Sequence, residues 1–159
     1  IVSNNKPMKL AEALSIRKDL EMQISKLKKL LESTVKVQEG DVPTEEPEVL
    51  MKELDNHLKH LEHYIYRINM TNMSIKDESG KTMTKLLAER DVLRKRIDVL
   101  QNTFNQVSEL TNRYGRNEIK NVITIDSKSL RTELNQCSQQ YRELDMRIQT
   151  LNFTHELVE

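Results

Sequence analysis

Apolar residues recur along the chain in alternating steps of three and four over four separate stretches. The first runs Leu10, Ala13, Leu20, Ile24, Leu27 and Leu31, with Arg17 standing at the missing step. The second runs Met51, Leu54, Leu58, Leu61, Ile65, Ile68 and then Asn72. The third runs Leu86, Arg90, Leu93, Ile97, Leu100, Phe104, Val107, Thr111 and Tyr114, and the fourth Leu130, Leu134, Cys137, Tyr141, Leu144, Ile148 and Leu151. Such spacing lays one stripe down one face of an α-helix. Helices that carry it pack side by side at a shallow angle, as in coiled coils and four-helix bundles.

Turn-forming residues fall between the stripes. Gly40, Pro43 and Pro47 separate the first from the second, and Thr44 can cap the second helix ahead of Glu45 and Glu46. The run Asp77 to Gly80 precedes a candidate cap at Thr82, Gly115 is placed as a left-handed C-terminal residue, and Asp126 or Ser127 can cap the fourth helix. The pattern predicts helices over about 9–34, 45–73, 82–114 and 127–152, each about 37 to 50 Å long at the α-helical rise. Val122, Ile123, Thr124 and Ile125 are β-branched, so Ile119 to Ile125 is read as an extended connector, with Val35 to Val37 as a pairing partner. Ile16, Leu30, Leu87, Val92 and Val99 flank the seams and widen the stripes. The fold class is all-α: an elongated antiparallel four-helix bundle, or paired helical hairpins with coiled-coil-like seams. Residues 1–7 are read as a flexible extension or remnant, with Met8 the native start, and 8–159 as one helical domain.

Composition agrees and excludes several classes. The 159 residues include three Gly, three Pro, four Tyr, two Phe and no Trp, which rules out collagen-like and low-complexity chains. Basic and acidic residues number 25 each, so the formal charge is zero. That balance argues against nucleic acid or an anionic membrane surface as partner. No apolar run reaches the length of a membrane-spanning helix, and the first residues lack a signal-peptide core. Cys137 stands alone, which excludes an intrachain disulfide and suits a reducing compartment, so a cytoplasmic location is expected. Glycosylation sequons at Asn69, Asn72 and Asn152 mean nothing without secretion.

Candidate chemistry is sparse. His57, His60 and His63 have metal-like spacing, but steps of three drift around a helix, and a solvated face is the preferred reading. No Glu is followed three residues later by His, so the di-iron bundle pattern is missing. No phosphate loop or catalytic triad is visible, and Cys137 on a seam reads as a small buried hydrophobe. No cofactor is expected. Polar residues on the seams are the unusual feature. In an up-down bundle, Arg17 and Arg90 fall near one end together with Asp19, Arg67, Asn69, Asn72, Asp91, Glu143 and Asp145. This set is either an ion-pair layer that fixes register, the preferred reading, or a pocket for an anionic ligand. A second segment, Arg113, Tyr114, Gly115, Arg116 through Lys120, caps the third helix or forms an interaction turn. Arg94, Lys95 and Arg96 are interleaved with Asp91 and Asp98 and make no continuous basic groove.

Several strings resemble a family of small bacterial proteins called septicolysin-like. They are Met8 to Leu14 (MKLAEAL), Lys36 to Gly40 (KVQEG), Arg67 to Asn72 (RINMTN), Ala88 to Leu93 (AERDVL), Arg113 to Lys120 (RYGRNEIK), Arg142 to Asp145 (RELD) and Leu151 to Phe153 (LNF). Phe153 stands where family members carry Trp. The resemblance implies a bacterial helical protein of unknown biochemistry, and the label points to a cytolysin. A pore former needs a membrane-inserting or releasable amphipathic segment, whereas these apolar residues are the ones a bundle core uses. The expected function is therefore non-enzymatic, acting through self-association as a homo-oligomer or through another protein. A membrane-active cytolysin and a binder of a small anion at the Arg-rich layer are the alternatives.

Overall fold

The computed structural model describes residues 6–37, 39–42, 45–112 and 122–159. Four helices hold most of them: α1 (Leu10–Thr34), α2 (Pro47–Ser74), α3 (Met83–Asn112) and α4 (Ser127–Thr154). The ends lie within two residues of those the periodicity predicts. Among the described residues there is no strand, and the backbone bridges are the isolated pairs Lys9–Glu156 and Lys76–Thr82. The described part of the β-branched connector, 122–125, forms no bridge, nor do Val35 to Val37 with any described residue, and the rest of the connector, 119–121, lies outside the described residues. A lone run of four such residues has no neighbouring strand to satisfy its backbone.

Helices α1 and α2 pack closely, as do α3 and α4. The chain divides into two compact units, one of Ile1–Ile75 with Leu151–Glu159, the other of Lys76–Thr150. Each is built on an antiparallel helical hairpin.

In the first unit α1 buries Leu10, Ala13, Leu20, Leu27 and Thr34, the seam its sequence predicts. The seam of α2 differs. Leu50, Ile68 and Thr71 are buried, and Leu54, His57, Leu61 and Tyr64 are half-buried. Met51, Leu58 and Ile65, expected on the seam, are exposed. Helix α2 carries apolar residues on two adjacent 3,4 registers that share Leu54, Leu61 and Ile68. Periodicity cannot choose between such registers, and packing against α1 does. The start of α2 also moves. Pro47 is its first residue, where a missing N–H costs nothing, and Glu46 precedes it without a side-chain cap. Thr44 and Pro43 lie outside the described residues.

Chain segment 155–158 completes this unit. Lys9 is a poor cap and gives α1 no side-chain hydrogen bond. The carbonyl of His155 instead accepts from the first amide of α1, Leu10 N, at 3.0 Å, and Leu157 N donates to Met8 O at 2.8 Å. On the α2 side Val158 is held twice. Its N–H donates to Thr71 Oγ1 at 2.9 Å, and its carbonyl accepts from Arg67 Nε at 2.9 Å. Leu157 is buried beneath this strap. The tail therefore ties the start of α1 to the end of α2.

In the second unit the seam follows the sequence. Met83, Leu86 and Val107 on α3, and Leu130, Leu134, Cys137, Leu144 and Ile148 on α4, are buried. Thr82 caps α3 through Lys85 N at 3.2 Å. Asp126 caps α4 by accepting from Lys128 N at 3.1 Å and Ser129 Oγ at 2.7 Å. The turn before α3 is organised by Asp77, whose Oδ1 accepts from Ser79 N, Ser79 Oγ and Lys81 N at 3.0, 2.7 and 2.9 Å. Gly80 takes φ +86° there, a conformation that side chains with a Cβ rarely adopt.

Candidate interaction surfaces

The polar residues singled out along the seams divide between the two units. Arg17, Asp19, Arg67, Asn69 and Asn72 belong to the first, and Arg90, Asp91, Glu143 and Asp145 to the second. In the first, Arg17 is half-buried beside the seam, and Asp19 and Asn69 are exposed. Asn72 is half-buried one residue past Thr71. Arg67 fastens the tail, since its Nε holds the Val158 carbonyl, and its Nη1 lies 3.5 Å from His63 Nε2. The sequence marked Arg67 as polar at the end of a helix but held no sign that its partner is a backbone carbonyl 91 residues away.

In the second unit Arg90 and Asp145 meet across the hairpin at 2.7 Å, both partly exposed. One turn along, Arg94 donates to the Tyr141 hydroxyl and sits 5.4 Å from the centre of its ring, a cation–π contact. Further along, Arg96 pairs with Glu133 at 2.5 Å. Arg147 Nη1 lies 3.7 Å from Asp77 Oδ2. The Ser79 hydroxyl, then the Lys81 and Ser79 amides and Arg147, outweigh burial and hold the Asp77 carboxyl below its ordinary 3.8. Asp126 is lowered in the same direction, chiefly by the Ser129 hydroxyl. Asp91 and Glu143 are exposed, and Gln139 Nε2 donates to Glu143 Oε1 at 3.2 Å. The candidate turn at Arg113, Tyr114, Arg116 and Lys120 lies outside the described residues.

The three histidines of α2 do not converge. His57 lies 3.8 Å from Glu53, one turn back on its own helix, His60 is exposed, and His63 packs edge-on against Tyr64. Among the described residues no group of three or more His, Cys, Asp or Glu is placed to hold a metal ion. No described helix is long and apolar enough to cross a membrane.

Two surface features remain. Each hairpin leaves apolar side chains outside its seam at heptad spacing. Met51, Leu58 and Ile65 on α2 are 47%, 44% and 39% exposed, and Val92 and Val99 on α3 are 68% and 64% exposed. A groove of about 980 Å³ runs along the second hairpin, with Ala88, Val92 and Leu93 of α3 facing Gln136, Cys137 and Gln140 of α4. Lys85, Glu89 and Arg96 edge it on one helix, and Glu133, Glu143 and Arg147 on the other. A smaller hollow of about 290 Å³ lies between Lys26, Leu27 and Leu30 of α1 and Glu53 and His57 of α2.

A family model described as a family of unknown function, DUF6847, matches residues 17–157. The chain is also similar to a functionally unknown conserved protein from Corynebacterium diphtheriae, known from its crystal structure. The two are 36% identical, with a TM-score of 0.91 over 96% of this chain and 100% of that one. No curated protein matches. None of these likenesses bears on the septicolysin-like resemblance.

Proposed function

We propose that this chain, which belongs to the DUF6847 family of unknown function, acts by association of its helical surfaces, with a second copy of itself or with another protein, and not by catalysis. The observation that carries this reading is the heptad-spaced apolar set left outside the seams: Met51, Leu58 and Ile65 on α2, and Val92 and Val99 on α3. A helix that exposes apolar residues every seventh position presents a second seam, and a second seam is filled by another helix. The side chains nearest to a reactive constellation support the same reading. Cys137 is buried, Arg90 is paired with Asp145, and His57, His60 and His63 occupy separate surroundings along α2. The lone thiol, buried and unlinked, suits a reducing cytoplasm.

The test is sedimentation velocity over a wide concentration range. Self-association predicts a mass that is a multiple of 18.7 kDa. A monomer at every concentration overturns self-association and leaves a different protein as the partner, to be sought by affinity capture with Met51→Glu, Leu58→Glu and Val92→Asp variants as controls.

A further inference from the structure

Segment 155–158 is held as a peptide ligand is held, through its main chain and one apolar side chain. Lys9 and Glu156 form an antiparallel bridge, flanked by Leu10 N donating to His155 O at 3.0 Å and Leu157 N donating to Met8 O at 2.8 Å. Beyond the bridge, side chains of α2 read both main-chain groups of Val158. Its N–H donates to Thr71 Oγ1, and its carbonyl accepts from Arg67 Nε, each at 2.9 Å. Thr71 is fully buried, and its hydroxyl donates to Arg67 O at 2.7 Å. That bond uses the one hydroxyl proton, so the oxygen meets Val158 as an acceptor. Of residues 155–158 Leu157 alone is buried, while Glu156 stays exposed with its carboxylate 4.0 Å from Lys9 Nζ.

Strand pairing for affinity, with a pocket for one side chain, is a recurring mode of peptide recognition. The groups that hold the tail lie at Met8 to Leu10 and on the last two turns of α2, and the chain bends at His155, directly after α4. Rotation at that bend vacates the seat, while Leu20, Leu27 and Leu50 keep the rest of the hairpin closed further along. A vacated seat strips Leu10 N, Met8 O, Thr71 Oγ1 and Arg67 Nε of these partners, and any extended main chain in the same register restores them. From this we infer that the seat is a binding site for an extended segment of another protein, with an aliphatic residue preceded by an acidic one. Residues 155–158 occupy it as an internal stand-in until such a segment displaces them. The aliphatic preference follows from the place Leu157 fills, and the acidic one from Lys9 beside Glu156. A tethered occupant lowers the apparent affinity of an incoming segment by the fraction of time the seat is closed, so the tail acts as a brake. The site is separate from the heptad-spaced faces of α2 and α3 and does not depend on self-association.

The experiment uses the whole chain and a fluorescent, acetylated peptide of residues 154–159, Thr-His-Glu-Leu-Val-Glu. Binding is read by anisotropy, with circular dichroism alongside. Leu157→Glu unseats the tail by charge, and Val158→Pro does so by removing the N–H that Thr71 accepts. Both variants should keep their helices and bind the peptide. Wild type should bind it roughly tenfold or more weakly, because its own tail competes. In the Leu157→Glu background, Thr71→Val and Arg67→Met should each weaken binding roughly tenfold, and a peptide with aspartate in place of leucine should not bind. Bound peptide should also slow amide exchange at Leu10, which places it in the seat and not on an exposed apolar face. Folded variants that fail to bind the peptide overturn the inference, as does binding that wild type matches or that ignores Thr71→Val. Loss of helicity in both variants overturns it too, because the tail is then part of the folding core and no exchangeable occupant. If one variant alone unfolds, the other decides.

Discussion

The two hairpins share a construction and differ in how they are closed. The first is fastened by backbone: the segment 155–158 adds a layer over the start of α1 and the end of α2, with Leu157 and Thr71 buried beneath. The second is fastened by side chains: Arg90 to Asp145, Arg94 to Tyr141 and Arg96 to Glu133 bridge α3 and α4, and the middle of α3 stays half-exposed at Leu93, Ile97 and Leu100. Two helices alone cannot bury both flanks of an apolar stripe, since an element hides its stripe only against another layer. Where the chain folds back on itself, as at the tail, a third layer is supplied locally. Where it does not, apolar surface such as Val92 and Val99 faces outward. Surface charges across the second seam orient the helices without adding much stability.

The largest effect that would sharpen this contrast is in the buried seam beneath the strap. Ile68 is fully buried, and Ile68→Ala should lower stability by about 2–5 kcal/mol through lost burial and a residual cavity. The matched change Ile97→Ala in the half-exposed middle of α3 should cost roughly half as much or less, scaling with the apolar area it hides. Urea unfolding of both variants measures the difference, and equal losses would break the comparison.

Next is the strap itself. Thr71→Val keeps the shape but leaves Val158 N without its acceptor, at a cost of about 1–3 kcal/mol. Removing residues 156–159 should destabilise the chain at least as much and should speed amide exchange at Leu10, whose fastening lies beside the lost segment, more than at Leu86. Hydrogen exchange read residue by residue decides this. Uniform acceleration in both hairpins would show that the tail does not act locally.

A smaller effect is expected at the ion pair. Arg90 and Asp145 are both partly exposed, so a double-mutant cycle of Arg90→Leu and Asp145→Leu should return a coupling of about 1 kcal/mol or less. A coupling of about 3–5 kcal/mol would mark a sealed layer of buried charge and reverse the picture of the second hairpin as loosely bridged.

The smallest effect is confined to acid. Asp77 and Asp126, both in the second unit, have folded-state values below the ordinary 3.8. A depressed carboxylate stabilises the fold above its unfolded value, and that contribution is lost as pH falls through the lower folded value. Melting temperature should therefore decline below about pH 4, and Asp77→Asn with Asp126→Asn should flatten part of that decline. A pH profile unchanged in the double variant would remove both carboxylates from the account.

Much of this protein is determined by the sequence alone. Steps of three and four, broken by Gly40, Gly80 and residues near Asp126, set four helices and their order, because helix periodicity and capping are local properties of the chain. The seams of α1, α3 and α4 follow for the same reason. Tertiary structure alone decided the register of α2, where Leu50, His57 and Tyr64 lie toward α1 while Met51, Leu58 and Ile65 do not. Both registers have helical spacing and the exposed one is the more apolar, so contact with a neighbour, and not the pattern, sets which face is buried. It also decided the role of Arg67 and Thr71, whose partner is the backbone of Val158. A main-chain group carries no side-chain signature, so its pairing across 87 and 91 residues leaves no mark in the pattern of residues. The groove beside Val92 belongs to this second class as well. Its residues are visible in the chain as flanking positions, but which flank stays open depends on where the fold sets its layers.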